Sequence, residues 1–587
     1  MTAQVIPLAI QPGIQRDGTQ LDSPLYVDGQ WVRFQRGRPR KIGGYKGIFL
    51  SSPGISRGMI MQSQQGLNYV YSGYSNSLQY WQTDNDDGVG SGPASVTLPS
   101  TYFISNSNNL WQFDIGYDSS GSGALKVVAH PGQNLTDIDS TVNTYVLAGS
   151  FPGGTLAPVG VFTATGTLTG TSFVISSANY KINTNQLVSG GGLSAGTTVI
   201  SSVVSGGNTT VTLSGTGSNG TQTLTFDNQI SVSGGACMIY PYLFVYGNNG
   251  LIQNCAAGDF TNWVSADSNA NNVSGTKVVK GLPVRGGTTS PSGLFWSLDQ
   301  LTRVSYNPTT VGTSTLYWRY DIISSQSSIL SSNSPIEYDG IYYWIGVDRF
   351  LMYNGVVQEV PNNTNINYFF NNVNYTQRQK VWAAKIPRWG EIWWFFPSGD
   401  STECNDAIIY NVRENLWYDA GQALGAQRSA GTFSEVFRYP IWAGNTTNSQ
   451  NQYTIWQHEI GTDQIYLTQV DAINSYFETN SIGWNTGGPG QRASSGLNKW
   501  IRIERIEPDF NMNGQMSVTI LGKGYADDVD VASAPYYFDN TTLKIDMREQ
   551  RREMRIRFTS NTFNGTYECG TNILSVDLGD ERGTGNP

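Results

Sequence analysis

Residues 340–360 read GIYYWIGVDRFLMYNGVVQEV, and residues 390–399 and 406–419 read GEIWWFFPSG and DAIIYNVRENLWYD. In each stretch an apolar, aromatic-rich strand runs into a Gly/Asn/Asp turn, and a second strand follows with an aromatic near its end. Such a pair is a β-hairpin pattern. The scheme recurs at Leu67–Gln82, Ser107–Asp118, Pro241–Trp263 (with an Asn-Asn-Gly turn), Ser292–Tyr306 and Tyr439–Asp463. The spacing is irregular, but the unit is the same: a small antiparallel sheet, repeated. That repeat predicts an all-β protein built of β-propeller blades, with a large sandwich as the competing arrangement.

Composition agrees with this fold class and removes others. The chain has 587 residues and a mass of 64.2 kDa, long enough for two to four domains. Charged residues make up 13%, about half the usual share of roughly 25%, while aromatics reach 12% and glycines number 67. A disordered chain is poor in aromatics and rich in charge, and a long-helix protein needs Ala, Glu, Lys, Leu and Arg; neither fits. A net charge of −9 does not mark the whole chain as a nucleic-acid binder. Four scattered cysteines (Cys237, Cys255, Cys404 and Cys569) suit free thiols in a reducing cytoplasm better than a disulfide framework or a zinc site. His130 and His458 are too few for a His-rich metal centre and are expected to be packed or surface residues. No cofactor is expected. Met1–Ile10 lacks a basic start and an apolar core, so no signal peptide is expected, and no window approaches a membrane span.

Three segments depart from the blade pattern. Trp31–Lys46 (WVRFQRGRPRKIGGYK) carries six basic residues and no acid, with Gly and Pro turns. Val161–Phe226 is nearly uncharged and alternates Thr/Ser with Val/Ile/Leu, which predicts a small inserted β-sandwich, with a disordered Gly/Ser/Thr linker as the competing reading. Lys499–Arg557 carries ten basic residues, and in it Met554, Ile556 and Phe558 alternate with Glu553, Arg555 and Arg557, the pattern of a half-buried strand with a charged outer face. The expected organisation is therefore an N-terminal extended/β segment at 1–50 packing with a C-terminal β domain at 491–587. Between them lie a propeller body at 51–160 and 227–490 and the inserted sandwich at 161–226.

The chemistry-bearing motifs are sparse. There is no Gly-x-Ser-x-Gly elbow, His-Glu-x-x-His helix, Walker A loop or dinucleotide fingerprint. No spacing singles out a carboxylate pair for glycoside cleavage. TDNDDGVG at Thr83–Gly90 misses the calcium-loop spacing and reads as a solvated turn. Trp393 and Trp394 could stack sugars, but adjacent strand residues face opposite ways, so at least one belongs to a core. The chain is expected not to be an enzyme. The basic residues Arg33, Arg36, Arg38, Arg40, Lys41, Arg548, Arg551 and Arg552 are interleaved in the second run with Asp546, Glu549 and Glu553. This mixture favours a salt-bridged subunit or adaptor interface, or pairing of the two termini with each other, over a uniform DNA-binding patch.

At these residues a family resemblance emerges. PGIQRDGTQLDSPLYVDGQWVRFQRGRPRKIGGYKG (Pro12–Gly47) resembles the opening of the tail nozzle proteins of short-tailed bacteriophages, also described as packaged-DNA stabilisation proteins. YYWIGVDRFLMYNG and the 390–419 segment are similar to the family's middle. RIERIEPDFNMNGQMSVTILGKGYADD, KIDMREQRREMRIRFTSN and the terminal LGDERGTGNP are similar to its end. The resemblance covers most of the chain outside Val161–Phe226, which itself resembles the small Ig-like decorations of phage virion proteins, and the terminal segments are its most specific part. It implies a structural virion protein: a β-propeller with an additional β domain, assembled as a hexamer. The ring would extend the DNA channel below a dodecameric tail adaptor of the head-tail connector, retain the genome and conduct double-stranded DNA during ejection. A tail needle or plug and tailspikes or fibres would be neighbours, and the protein would be made in the host bacterial cytoplasm and reside in the virion tail. No catalytic residue is implied. A receptor-binding or glycan-degrading tail protein is the alternative.

Overall fold

The computed structural model describes residues 4–19, 23–64, 66–75, 77–83, 92–98, 110–120, 123–132, 145–228, 232–285, 290–312, 314–435, 437–448, 450–485, 488–490, 499–524 and 528–581. Asp84–Gly90 of the TDNDDGVG turn, Ser107–Asn109 and the last six residues lie outside them. Strands take 56% of the described residues and helices 4%, so the all-β expectation holds. Six antiparallel four-stranded sheets follow one another along the chain, over residues 58–95, 112–158, 235–272, 278–324, 336–359 and 382–419. Each connects neighbouring strands in sequence order. The turns are those the sequence specifies: Asp339 and Gly340 both take positive φ (50° and 79°), closing Ile336–Tyr338 onto Ile341–Ile345 by a two-residue loop. A seventh sheet takes Arg428–Thr432, Ile441–Thr447 and Tyr453–His458 from the same part of the chain. Its fourth strand, Tyr45–Ser52, comes from the N-terminal segment.

The apolar cores lie between successive sheets. Tyr71 and Leu78 of the first sheet meet Val127 and Leu147 of the second; Leu294 and Trp296 of the fourth meet Tyr342 and Trp344 of the fifth. Tyr343 and Phe350 of the fifth meet Trp394 and Phe396 of the sixth. Met61, Val70 and Trp81 of the first sheet pack against Ile441, Ala443 and Ile455 of the seventh. A sheet covered on both faces needs apolar side chains at consecutive positions, which is why IWWFF (Ile392–Phe396) is an unbroken run. Trp393 and Trp394 are both fully buried, in two different cores.

Residues 161–227 form one six-stranded sheet between the second and third sheets of the body. Its outermost strands, Leu187–Ser189 and Val199–Ser205, are linked by hydrogen bonds from Val188 N to Thr197 O (2.8 Å) and from Val199 N to Gln186 O (2.9 Å). The segment is thus a single sheet curled until its ends meet around Leu168, Phe173, Val211 and Phe226, and not two separately bonded sheets as a sandwich has. Period-two alternation marks one apolar face and does not say whether that face meets a second sheet or its own other half. Val161 pairs with Asp227, so the chain enters and leaves side by side.

The chain ends are built together. Gln4–Pro7 pairs with Ile573–Glu581, Asp28–Gln30 with Ser475–Glu478, and Arg38–Lys41 meets Thr566–Cys569 through Arg40 and Glu568. Two boundaries differ from the expected ones. Tyr45–Ser52 belongs to the seventh sheet, so position 50 falls inside a body strand. Ser475–Glu478 and Ile482–Asn485 are bonded to Glu553–Ser560, so the C-terminal unit begins ahead of 491. Both shifts arise because hydrogen-bonded pairing, not a change in composition, decides which sheet a strand joins. The charged outer face expected on Glu553–Ser560 is also corrected. This strand is flanked on both sides, and Glu553 and Arg555 are buried.

Candidate functional site

The strongest concentration of charge chemistry lies where the N-terminal segment enters the body. Trp31 adopts φ 53° and is fully buried. Its N–H donates to Ala420 O (3.2 Å), its carbonyl accepts from Ser475 Oγ (2.9 Å), and its ring meets Trp393 and Tyr45 edge-on at 5.9 Å. Gly425 sits so close that a Cβ there would lie 2.1 Å from the indole, which requires glycine at that position.

Two residues on, Arg33 is 1% exposed. Its guanidinium donates to both oxygens of Glu391 (2.9 and 3.0 Å) and both of Glu459 (2.7 Å each), and lies 4.7 Å from the Trp389 ring. Burial alone would lower the Arg33 pKa, but the two carboxylates outweigh it and raise it. Burial would likewise raise the Glu459 carboxyl, yet Arg33 holds it below the usual range. Trp389 and Trp393 N–H groups and the Tyr418 hydroxyl complete the shell around the two acids. Every charge here has a partner, as burial demands.

A second buried cluster joins Arg16 to Asp419 (2.9 and 2.8 Å) and to Asp28. Beside it, Asp406 accepts from the Tyr368 hydroxyl (2.7 Å) and Ala407 N (2.7 Å). Burial, and then the negative charge of Asp419, push the Asp406 carboxyl up to about 7. A carboxyl raised in this way beside a second one is a setting for acid–base chemistry, but Asp406 and Asp419 are both fully buried. A third cluster sets Glu478, 1% exposed, against Arg555 (2.6 Å) and Arg557 (2.7 Å).

The eight basic residues singled out in the sequence therefore do not form one exposed surface. Arg33 and Lys41 are buried and do not present a docking surface, a correction with a clear cause: the strands that carry them lie between the body and the C-terminal unit. Arg36 is exposed, with its backbone N–H on Glu414 (2.7 Å); Arg38 and Arg40 share Glu568 at 3.3 and 3.9 Å. Arg548 is exposed, Arg551 and Arg552 are half-buried, and Arg551 pairs with Glu549 at 3.7 Å. The carboxylates that hold Arg33 were missed in the sequence, although Glu391 is the one charge in an otherwise apolar strand and so signals a buried cation.

The four cysteines are free and buried. His130 is buried with Nδ1 accepting from Gly132 N (3.0 Å), and burial lowers its pKa to about 4; His458 is buried beside Trp442 and Arg428. Among the described residues no group of three or more His, Cys, Asp or Glu could hold a metal ion, and no helix is long and apolar enough to cross a membrane.

No protein-family model matches the chain, and no curated protein matches it. Among solved structures it is similar to the computationally designed Ika8 protein, at 10% identity over 70% of this chain and 99% of that one, with a TM-score of 0.31. It is also similar to an exo-beta-1,3-galactanase from Phanerochaete chrysosporium (9% identity, 91% and 99% covered, TM-score 0.24) and a sialidase from Trypanosoma rangeli (9%, 98% and 96%, 0.25). At these scores the likenesses weigh on neither fold nor activity.

Proposed function

We propose that this chain is a subunit of a phage tail nozzle, a non-enzymatic virion protein that assembles as a ring, extends the DNA channel below the tail adaptor, and holds the genome until ejection. Its seven successive sheets are the blades of one closed β-propeller, with Tyr45–Ser52 as the strand that locks the last blade. The apolar packing of the seventh sheet on the first supports that closure. The observation that carries the functional reading is the union of the two chain ends. The two chain ends pair with each other, Asp28 and Arg557 of the segments that resemble nozzle proteins meet at 3.4 Å, and buried Arg33 ties the N-terminal one to Glu391 and Glu459 of the body. A part that contains a pressurised genome needs such rigid joints. The three buried acidic clusters fit it too, because their carboxylates hold structural arginines. The hairpin Leu301–Val311/Ser314–Ser324 exposes Val311, Leu316 and Ile322 by 59–64%, an apolar surface suited to a neighbouring subunit. Light scattering on the purified chain tests the reading: a nozzle gives a mass near six times 64.2 kDa. A monomer or trimer that binds or cleaves host polysaccharide contradicts it.

A further inference from the structure

A cavity of about 370 Å³ opens where the N-terminal segment, the sixth and seventh sheets and the C-terminal unit meet. Five cations line it: Arg33, Arg40, Lys41, Arg388 and Arg438. Its two acids are already engaged. Glu459 holds Arg33 and the Trp389 N–H, and Glu568 is shared by Arg38 and Arg40. Trp389 concentrates the positive charge further, with the guanidiniums of Arg33, Arg40 and Arg388 all within 4.9 Å of its ring centroid. Among the described residues, Lys41, Arg388 and Arg438 have no carboxylate within ion-pair distance.

Lys41 is the decisive residue. It is 6% exposed, and its ammonium nitrogen makes no hydrogen bond. Burial lowers its pKa to about 8, with Asp463 acting the other way, so it is still mostly protonated at pH 7. Asp463 is not within ion-pair reach; one of its oxygens accepts from Asn564 N at 2.8 Å and the other is unpartnered. A buried ammonium with three donors and no acceptor is costly, and a cavity wall is where an acceptor can be supplied from outside.

We propose that this cavity binds a phosphate-class oxyanion, with the Lys41 ammonium as its inner donor and Arg388, Arg438 and Arg40 closing over it from the rim. A tetrahedral oxyanion offers several acceptors to converging guanidinium and ammonium donors, the arrangement in which such contacts are strongest. The lining residues come from six separate stretches of chain, so the bound anion would act as a clasp on the joint between the chain ends and the body. A DNA duplex presents its phosphates on a wide, stiff rod and does not reach a donor as deep as Lys41, so the source expected is a free phosphate or diphosphate.

The test is thermal unfolding of the full chain, followed by tryptophan fluorescence, in inorganic phosphate or pyrophosphate against chloride at matched ionic strength. The expected result is a saturable rise in Tm specific to the phosphates, at least tenfold weaker in apparent affinity in Lys41→Met. Arg388→Gln with Arg438→Gln, both at exposed positions, should weaken it several-fold while leaving the Tm in chloride unchanged. A short duplex that competes the phosphate away would assign the phosphoryl group to nucleic acid, and one that does not would assign it to the free anion. Absence of a saturable response, or a response that survives both Lys41→Met and the rim variant, would overturn the proposal and leave Asp463 as the sole counter-charge of Lys41.

Discussion

The inserted barrel at 161–227 and the N-terminal segment before Ser52 are opposite solutions to the same problem of attaching a stretch of chain to a body. The barrel has two charged residues, Lys181 and Asp227, and a core made wholly from its own side chains. It is held at its base by Lys181 on Asp259 (3.1 Å) and Asp227 on the Tyr145 hydroxyl (3.1 Å). The N-terminal segment has no core of its own. Trp31, Phe34 and Tyr45 are buried only because the sixth and seventh sheets and the C-terminal unit surround them, and its arginines reach acids hundreds of positions away. Hydrophobic contact alone is non-directional. A bidentate guanidinium fixes which acid is met and in what orientation. In this protein, charge is concentrated where remote stretches of chain must find one another, and it is nearly absent where a unit closes on itself.

The largest effects should therefore come from the N-terminal joint. Trp31→Ala removes an indole from a fully packed site and should cost roughly 3–5 kcal/mol, read as a fall in the denaturation midpoint. Arg33→Met should cost a similar amount, about 3–5 kcal/mol, because it leaves Glu391 and Glu459 buried without their cation. Adding Glu391→Gln and Glu459→Gln should recover part of that loss; a triple variant no better than the single one would show that the joint rests on packing alone.

The Asp406 cluster should show itself in pH dependence. Its folded pKa of about 7 lies above the ordinary 3.8, so the unfolded chain releases this proton first. The carboxyl therefore contributes a loss of stability as pH rises from 3.8 to about 7, and a constant term above that. Asp406→Asn should remove that slope, measured as the difference between the two proteins' stability–pH curves. Superimposable curves would mean that the carboxyl titrates normally.

Deleting 161–227 and joining its neighbours by a short Gly/Ser link should change the body's stability by no more than ~1 kcal/mol, since the two ends are already a paired strand's width apart. Loss of folding would show that the barrel contributes to the body's core. Smallest of all, Arg38→Ala removes an ion pair whose partners are 60% and 32% exposed, and should cost ~1 kcal/mol or less.

Much of this was legible in the sequence. The aromatic-rich strands and Gly/Asn/Asp turns marked a chain of small antiparallel sheets, and the neighbouring Trp393 and Trp394 promised at least one core residue, where the structure buries both. The low charge of 161–227 marked a unit apart. Partnership was not legible. A run such as WVRFQRGRPRK announces cations, but whether Arg33 meets solvent, another subunit or Glu391, 358 positions on, depends on which strands become neighbours. Local pattern carries no record of that. The same gap explains why Arg555 looked solvent-facing by alternation and is buried against Glu478.

Single-particle electron microscopy of the purified chain decides whether the proposed ring of propeller subunits forms. Rings with an open central channel are expected, each subunit showing seven small sheets around its own axis and a separate inserted lobe. Isolated particles without a channel, at concentrations where the protein is folded, would contradict the proposed ring.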